Sequence, residues 1–184
     1  MAAELVAERG PAGTSVEAVA VASNASKSQL YHYFGDKRGL IAAVIEHQCA
    51  SVLGVQARLL ASVSDWDDLE HWADAVVAGI EQHAARGGCP LGTLAAELAD
   101  VDEDFRAELE AAFETWRGAI HGALLRLREN GLLSATADLA TLSSAMLASV
   151  QGGLLLTKTS RDTLHLRAAL AGAIAHLSES GLDG

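Results

Sequence analysis

Between Thr14 and Lys37 the chain gathers side chains that donate or accept hydrogen bonds or carry positive charge: Thr14, Ser26, Lys27, Ser28, Gln29, Tyr31, His32, Tyr33 and Lys37. From Lys27 to Tyr33 there is no carboxylate, and Leu30 is the one aliphatic residue. Amide, ammonium, hydroxyl and ring groups of this kind suit duplex DNA. Gln29 is placed to read a base edge, Lys27 a guanine or a phosphate, and Tyr31, His32 and Tyr33 the backbone or a thymine methyl. Thr14 and Lys37 are expected to open helices, where free backbone amides and the helix dipole favour phosphate.

Presenting those groups requires short, well-punctuated elements. Residues 1–9 read as the end of a helix stopped by Gly10 and Pro11. Thr14, with Glu17 three residues on, predicts a capping box that opens a second helix to about Ala22. Ser23, Asn24 and Ala25 form the break, with Asn24 as the left-handed turn residue. Ser26 caps a third helix to Phe34, which Gly35 and Asp36 end. Two helices of about eight residues joined by a three-residue turn have helix-turn-helix proportions. Val16, Val19 and Ala20 on the first and Leu30 and Phe34 on the second supply the apolar inner side.

The run Thr14-Ser15-Val16-Glu17-Ala18-Val19-Ala20, followed by Ser26-Lys27-Ser28-Gln29-Leu30-Tyr31-His32-Tyr33-Phe34-Gly35-Asp36-Lys37 and Leu40, resembles the signature of the TetR family of transcriptional regulators. It departs from the usual pattern in four places. Val19 stands for Ile, Ser23-Asn24-Ala25 for Ala-Gly-Val, Ser28 for a frequent Gly, and Tyr33 for a frequent His. The likeness implies a regulator, a repressor by expectation, that binds a palindromic operator as a dimer. The stretches Gly87 to Leu98, Phe113 to Trp116 and Gln151 to Leu156 with Thr159 to Asp162 are similar to the LmrA-like subgroup. That similarity implies a C-terminal domain sensing a small lipophilic or aromatic effector, with the last two helices forming the dimer.

The remaining sequence is helical in pattern. Residues 37–61 form a long helix, and 65–85 carry Leu69, Trp72, Ala73, Val76, Val77 and Ile80 on one stripe. A short helix follows Pro90, and residues 102–130 place Phe105, Leu109, Phe113, Trp116, Ile120, Leu124 and Leu127 at helical spacing. Residues 138–159 are apolar on more than one face, and 162–178 close the chain. The expected fold is all-α, with about nine helices: a helix-turn-helix domain over residues 1–46 and a ligand-binding and dimerisation bundle over 47–184. Trp72, Val76, Leu94, Phe113, Trp116, Met146, Val150 and Gln151 are the candidate pocket residues, with Gln151 as polar anchor. Leu155, Leu166, Leu170, Ile174 and Leu177 are the candidate dimer contacts.

Charge bears on this reading through its distribution. The net charge is −11. Residues 1–53 nevertheless balance Arg9, Lys27, Lys37 and Arg38 against Glu4, Glu8, Glu17, Asp36 and Glu46, so the acidic excess lies further on. Beyond roughly 8–10 Å from DNA such charges are largely screened at physiological salt. Two cysteines, Cys49 and Cys89, and no signal peptide predict no disulfide framework and a cytoplasmic setting. No stretch reads as a membrane span, so no membrane partner is expected. No metal-ligand spacing, cofactor loop or nucleophile–base motif is present, so no metal, cofactor or catalytic site is expected. The alternative is a helical small-molecule-binding dimer that does not itself recognise DNA.

Overall fold

The computed structural model describes residues 1–82, 84–85 and 87–179. Among them nine helices are present: α1 (Ala2–Gly13), α2 (Val16–Ser23), α3 (Lys27–Phe34), α4 (Lys37–Ala61), α5 (Trp66–Glu81), α6 (Pro90–Leu98), α7 (Glu103–Glu129), α8 (Leu139–Ser160) and α9 (Leu164–Glu179). Most ends have an identifiable stop. Gly10 (φ 73°) breaks α1 internally just before Pro11. Asn24 takes the left-handed conformation (φ 53°, ψ 31°) expected of it and ends α2. Asp65, Asp102 and Asp138 accept backbone N–H bonds at the starts of α5, α7 and α8. A carboxylate at a helix start also opposes the positive end of the dipole.

The expected cap at Thr14 is corrected by the structure. Ser15 caps α2, its Oγ accepting from Ala18 N at 3.1 Å. Thr14 is buried at 1 % exposure, and its hydroxyl donates to Gly10 O (2.8 Å) and lies 3.3 Å from Leu5 O. Those carbonyls near the Gly10 break need partners, and burial of a hydroxyl is tolerated only when it is bonded in this way.

The described residues divide into two compact units. The first joins Met1–Val52 with Pro90–Ala112, and the second joins Leu53–Cys89 with the chain from Phe113 onward. This grouping differs from a simple cut after residue 46, because α6 and the start of α7 belong with the N-terminal helices. In the first unit Leu5, Val16, Val19, Ala20, Leu30 and Leu40 form the core, with Ala25 and Phe34 packed against it. Each fully buried leucine or valine of this kind contributes about 1.5–3 kcal/mol.

In the second unit α9 packs against α5 and α8. α8 and α9 lie close together at Gly153, where an added Cβ would lie 2.9 Å from Leu166 Cα. Arg126 holds the α4–α5 connection by donating to Val63 O at 2.9 Å and to Leu60 O, and Asn130 donates to Ser64 O at 2.8 Å. The expectation that no stretch approaches a membrane span also needs correction. α4 and α8 are long and apolar enough by length and mean hydropathy, 1.3 and 1.5 respectively. Part of each is used internally: Leu40, Ile41, Val44 and Ile45 on α4, and Met146, Val150 and Leu154 on α8, are buried in the chain, whereas Val55 on α4 and Leu155 and Leu156 on α8 are exposed.

Candidate nucleic-acid interface

α3 is held from beneath and open above. Leu30 is buried and Phe34 half-buried, whereas Lys27, Ser28, Gln29, Tyr31, His32 and Tyr33 are exposed, Tyr33 at 78 %. His32 and Tyr33 meet edge to face, with ring centroids 5.7 Å apart. The face therefore presents two phenols, an imidazole, an amide, a hydroxyl and an ammonium to solvent.

Several of these groups already have partners. Ser26 Oγ accepts from Gln29 N at 3.2 Å, and Gln29 Oε1 accepts from Ser26 N at 2.8 Å, a reciprocal capping box. The box occupies one of the two acceptor positions of Gln29 Oε1, so a bidentate contact to adenine would share that oxygen with Ser26 N. Lys27 Nζ lies 3.0 Å from Glu17 Oε1, and the ammonium holds the Glu17 carboxyl below its ordinary range, first through their hydrogen bond. Lys37 Nζ donates to Ala12 O at 3.0 Å. Thr14 is the one expected DNA-contacting residue that faces inward, for the reason given above.

Sequence reasoning missed two partnerships. Glu17 lies ten positions before Lys27, across the turn, so no helical spacing pointed to their pairing. Arg38 counts in the sequence only toward the charge balance, with no partner assigned. It begins the second position of α4 and reaches Asp102 (2.8 and 3.0 Å) and Asp104 (2.6 Å) at the start of α7, with its guanidinium 4.9 Å from the Phe105 ring centre. The Arg38 pair holds the Asp102 carboxyl below its ordinary range.

The expected pocket residues do not share one unit. Leu94 on α6 belongs to the first, and the other seven to the second. Trp72, Val76, Trp116, Met146 and Val150 are buried, and Phe113 and Gln151 are half-buried. Trp72 Nε1 donates to the buried Gln56 Oε1 at 2.8 Å. Trp116 Nε1, Gln151 Nε2 and Thr157 Oγ1 are buried with no protein partner among the described residues. Two surface grooves border α9: one against α5, of about 550 Å³ and lined by Trp66, Val77 and Ile174 among others, and one against α8, of about 350 Å³. Met146 alone of the expected pocket residues lines either groove.

Of the expected dimer contacts, Leu155 is 64 % exposed, but Leu166, Leu170, Ile174 and Leu177 are buried within the chain where α9 packs on α5 and α8. Among the described residues the exposed leucines are Leu155, Leu156 and Leu164. Cys89 is buried, and burial, with Glu108 nearby, pushes the Cys49 thiol upward. No group of three or more metal-ligating side chains occurs among the described residues.

Residues 1–44 match the family described as bacterial regulatory proteins of the tetR family, and residues 56–173 match the tetracyclin repressor-like C-terminal domain. The chain belongs to the TetR family. It is 32 % identical over 164 residues to an uncharacterized HTH-type transcriptional regulator in the lacX 3′ region of Lactococcus lactis subsp. lactis, covering 86 % of this chain and 80 % of that protein. It is 26 % identical over 159 residues to the HTH-type transcriptional repressor DhaR of a Mycobacterium species, covering 84 % and 77 %. The crystal structure of a regulatory protein TetR from Rhodobacter sphaeroides superposes with a TM-score of 0.86 at 25 % identity, covering 94 % and 93 %. α1 to α3, all within residues 1–44, accordingly belong to the N-terminal helix-turn-helix domain of a TetR-family transcriptional regulator.

Proposed function

We propose that this TetR-family regulator is a cytoplasmic repressor that binds a palindromic operator as a homodimer and is released by a small lipophilic or aromatic effector. The observation that carries the reading is the exposed run from Lys27 to Tyr33, free of carboxylates and set on a helix whose underside is fixed by Leu30. Residues 1–46 are assigned to DNA contact, with 47–184 assigned to the effector and the dimer. A dimer would set two recognition helices about 34–36 Å apart, or a multiple of that, to match one turn of DNA. Leu155, Leu156 and Leu164 are the exposed apolar groups that favour such an association.

The effector assignment draws on Trp116 and Gln151. Both leave a buried N–H without a protein acceptor among the described residues. An effector that meets them supplies acceptors, such as a carbonyl or ether oxygen on an apolar frame. The glycine-rich segment Gly87-Gly88 with Cys89 and Pro90, and Gln151-Gly152-Gly153, are the residues that favour the LmrA-like subgroup. Effector binding would lift repression by its differential affinity for two arrangements of the protein.

Selection of sites from a random duplex pool at moderate salt tests the proposal. Recovery of an inverted repeat is the expected result. The engagement of Lys27 by Glu17 and of Lys37 by Ala12 O favours one alternative, a ligand-binding helical dimer that does not recognise DNA. Failure of a folded dimer to enrich any duplex would make that alternative the better account.

A further inference from the structure

Arg38 gathers two carboxylates and an aromatic ring within the first unit, and the DNA-reading face does not use it. Nε donates to Asp102 Oδ2 at 2.8 Å, and Nη2 donates to Asp102 Oδ1 at 3.0 Å and to Asp104 Oδ2 at 2.6 Å. The guanidinium also lies over the ring of Phe105, which is itself buried. A lone exposed ion pair is worth little, but a two-pronged pair with a second carboxylate and a ring beneath it fixes a direction as well as a distance.

Both ends of this cluster are structurally committed. Asp102 Oδ1 also accepts from Asp104 N (3.1 Å) and Phe105 N (3.2 Å), so the carboxylate that holds Arg38 is the cap of α7. Val101 N and Asp102 N both donate to Leu98 O, which ties the same turn to the end of α6. α6 in turn packs on α1, where Glu97 lies against the Gly10 break. At the other end, Gly35 and Asp36 alone separate Arg38's helix from the recognition helix, and Leu40 and Ile41 are buried one turn later.

We propose that Arg38 is the positioning residue that fixes the first turn of α4, and with it the recognition helix, to the α6–α7 junction, so that operator occupancy and the state of that junction are linked. The inference rests on the operator-binding reading. Its direction follows from reciprocity: if the junction biases how α3 is presented, then DNA on α3 must alter the junction. α7 continues past this turn to Phe113 and Trp116, so the junction is continuous in the chain with residues assigned to the effector.

The test is hydrogen exchange across residues 98–106 in the full-length protein, with and without the duplex recovered by selection. In the parent protein the duplex should slow exchange there by about fivefold, the low end of ordinary coupling between sites. In Arg38→Met the duplex should still bind, with an unchanged salt slope, and the change at 98–106 should vanish. Asp104→Asn, which leaves the Asp102 cap and Arg38 in place, should reduce the change and serves if Arg38→Met does not fold. A salt slope smaller by about one in Arg38→Met would show a direct phosphate contact and overturn the proposal. So would the same exchange response in parent and both variants, or none in the parent with duplex bound. If no duplex is enriched at all, the operator reading fails first and the link falls with it.

Discussion

Trp72 and Trp116 lie in the same unit and are equally buried, each 2 % exposed, yet they are held differently. Trp72 gives its N–H to Gln56, itself buried, whereas Trp116 has no protein acceptor among the described residues. A buried donor left unpaired costs about 1–3 kcal/mol, while a typical made bond returns only about 1 kcal/mol. The first tryptophan is therefore a completed piece of core, and the second carries a cost that an acceptor could relieve. The exposed face of α3 and the start of α4 invert this pattern. Lys27, Gln29 and Lys37 are exposed yet partnered, and at a surface such partners exchange cheaply for water or phosphate. The contrast separates groups that hold the fold from groups that, on the proposed function, wait for a ligand.

The largest expected effect comes from breaking the completed pair. Gln56→Leu strands the Trp72 N–H and should cost about 2 kcal/mol, or a fall in Tm of about 4–8 °C by calorimetry. Trp116→Phe removes a donor that has nothing to lose, and should leave Tm unchanged or raise it by a few degrees. In the same variant, affinity for an acceptor-bearing effector found by screening should fall about tenfold. If Trp116→Phe destabilised as much as Gln56→Leu, the distinction between the two tryptophans would be gone.

This contrast was only half legible in the sequence. Both residues sit on apolar stripes at helical spacing, and a stripe states that a face is covered without stating by what. The same ambiguity explains α9. Leu166, Leu170, Ile174 and Leu177 read as a face for a second chain, but α5 and α8 of the same chain cover it. The helices themselves were readable, because a cap such as Ser26 and a breaker such as Asn24 act within four residues. Thr14 was misread for a related reason. Thr14 and Ser15 are both competent caps, and burial of Thr14 beneath Leu5 and Gly10 decides between them. Arg38 could not be read at all, since its partners lie 64 and 66 positions away.

On the recognition face the effects are on binding, with little change in stability. Lys37→Ala should weaken every duplex alike and lower the salt slope by about one. Glu17→Gln should act in the opposite direction. It frees Lys27 and removes a carboxylate from the vicinity of phosphate, so affinity for the selected duplex should rise by about threefold at low salt and converge with the parent at high salt. Fluorescence anisotropy over a salt series measures both. Weaker binding by Glu17→Gln would show that the Lys27–Glu17 pair is needed to hold α3, which would move Lys27 from the waiting class to the holding class.

The smallest effect extends the comparison to two carboxylates on one stretch of chain. Arg38 holds Asp102 below the ordinary carboxylate range, whereas burial, then the charge of Glu46, pushes Glu108 above it. For Asp102 the folded state binds its proton more weakly than the unfolded chain does. Its contribution is present above the unfolded value and is lost as pH falls through the folded one. For Glu108 the sign reverses, because the folded state binds the proton more tightly. Its ionisation opposes folding as pH rises through the ordinary carboxylate range, and the penalty is complete once pH exceeds the raised value. Glu108→Gln should therefore raise Tm at neutral pH by about one degree, and the gain should disappear on acidification below the carboxylate range. Melting curves from acid to neutral pH decide the matter. A gain that persisted in acid would trace to packing of the amide, and Glu108 would then carry no electrostatic penalty to set against the Arg38 pair.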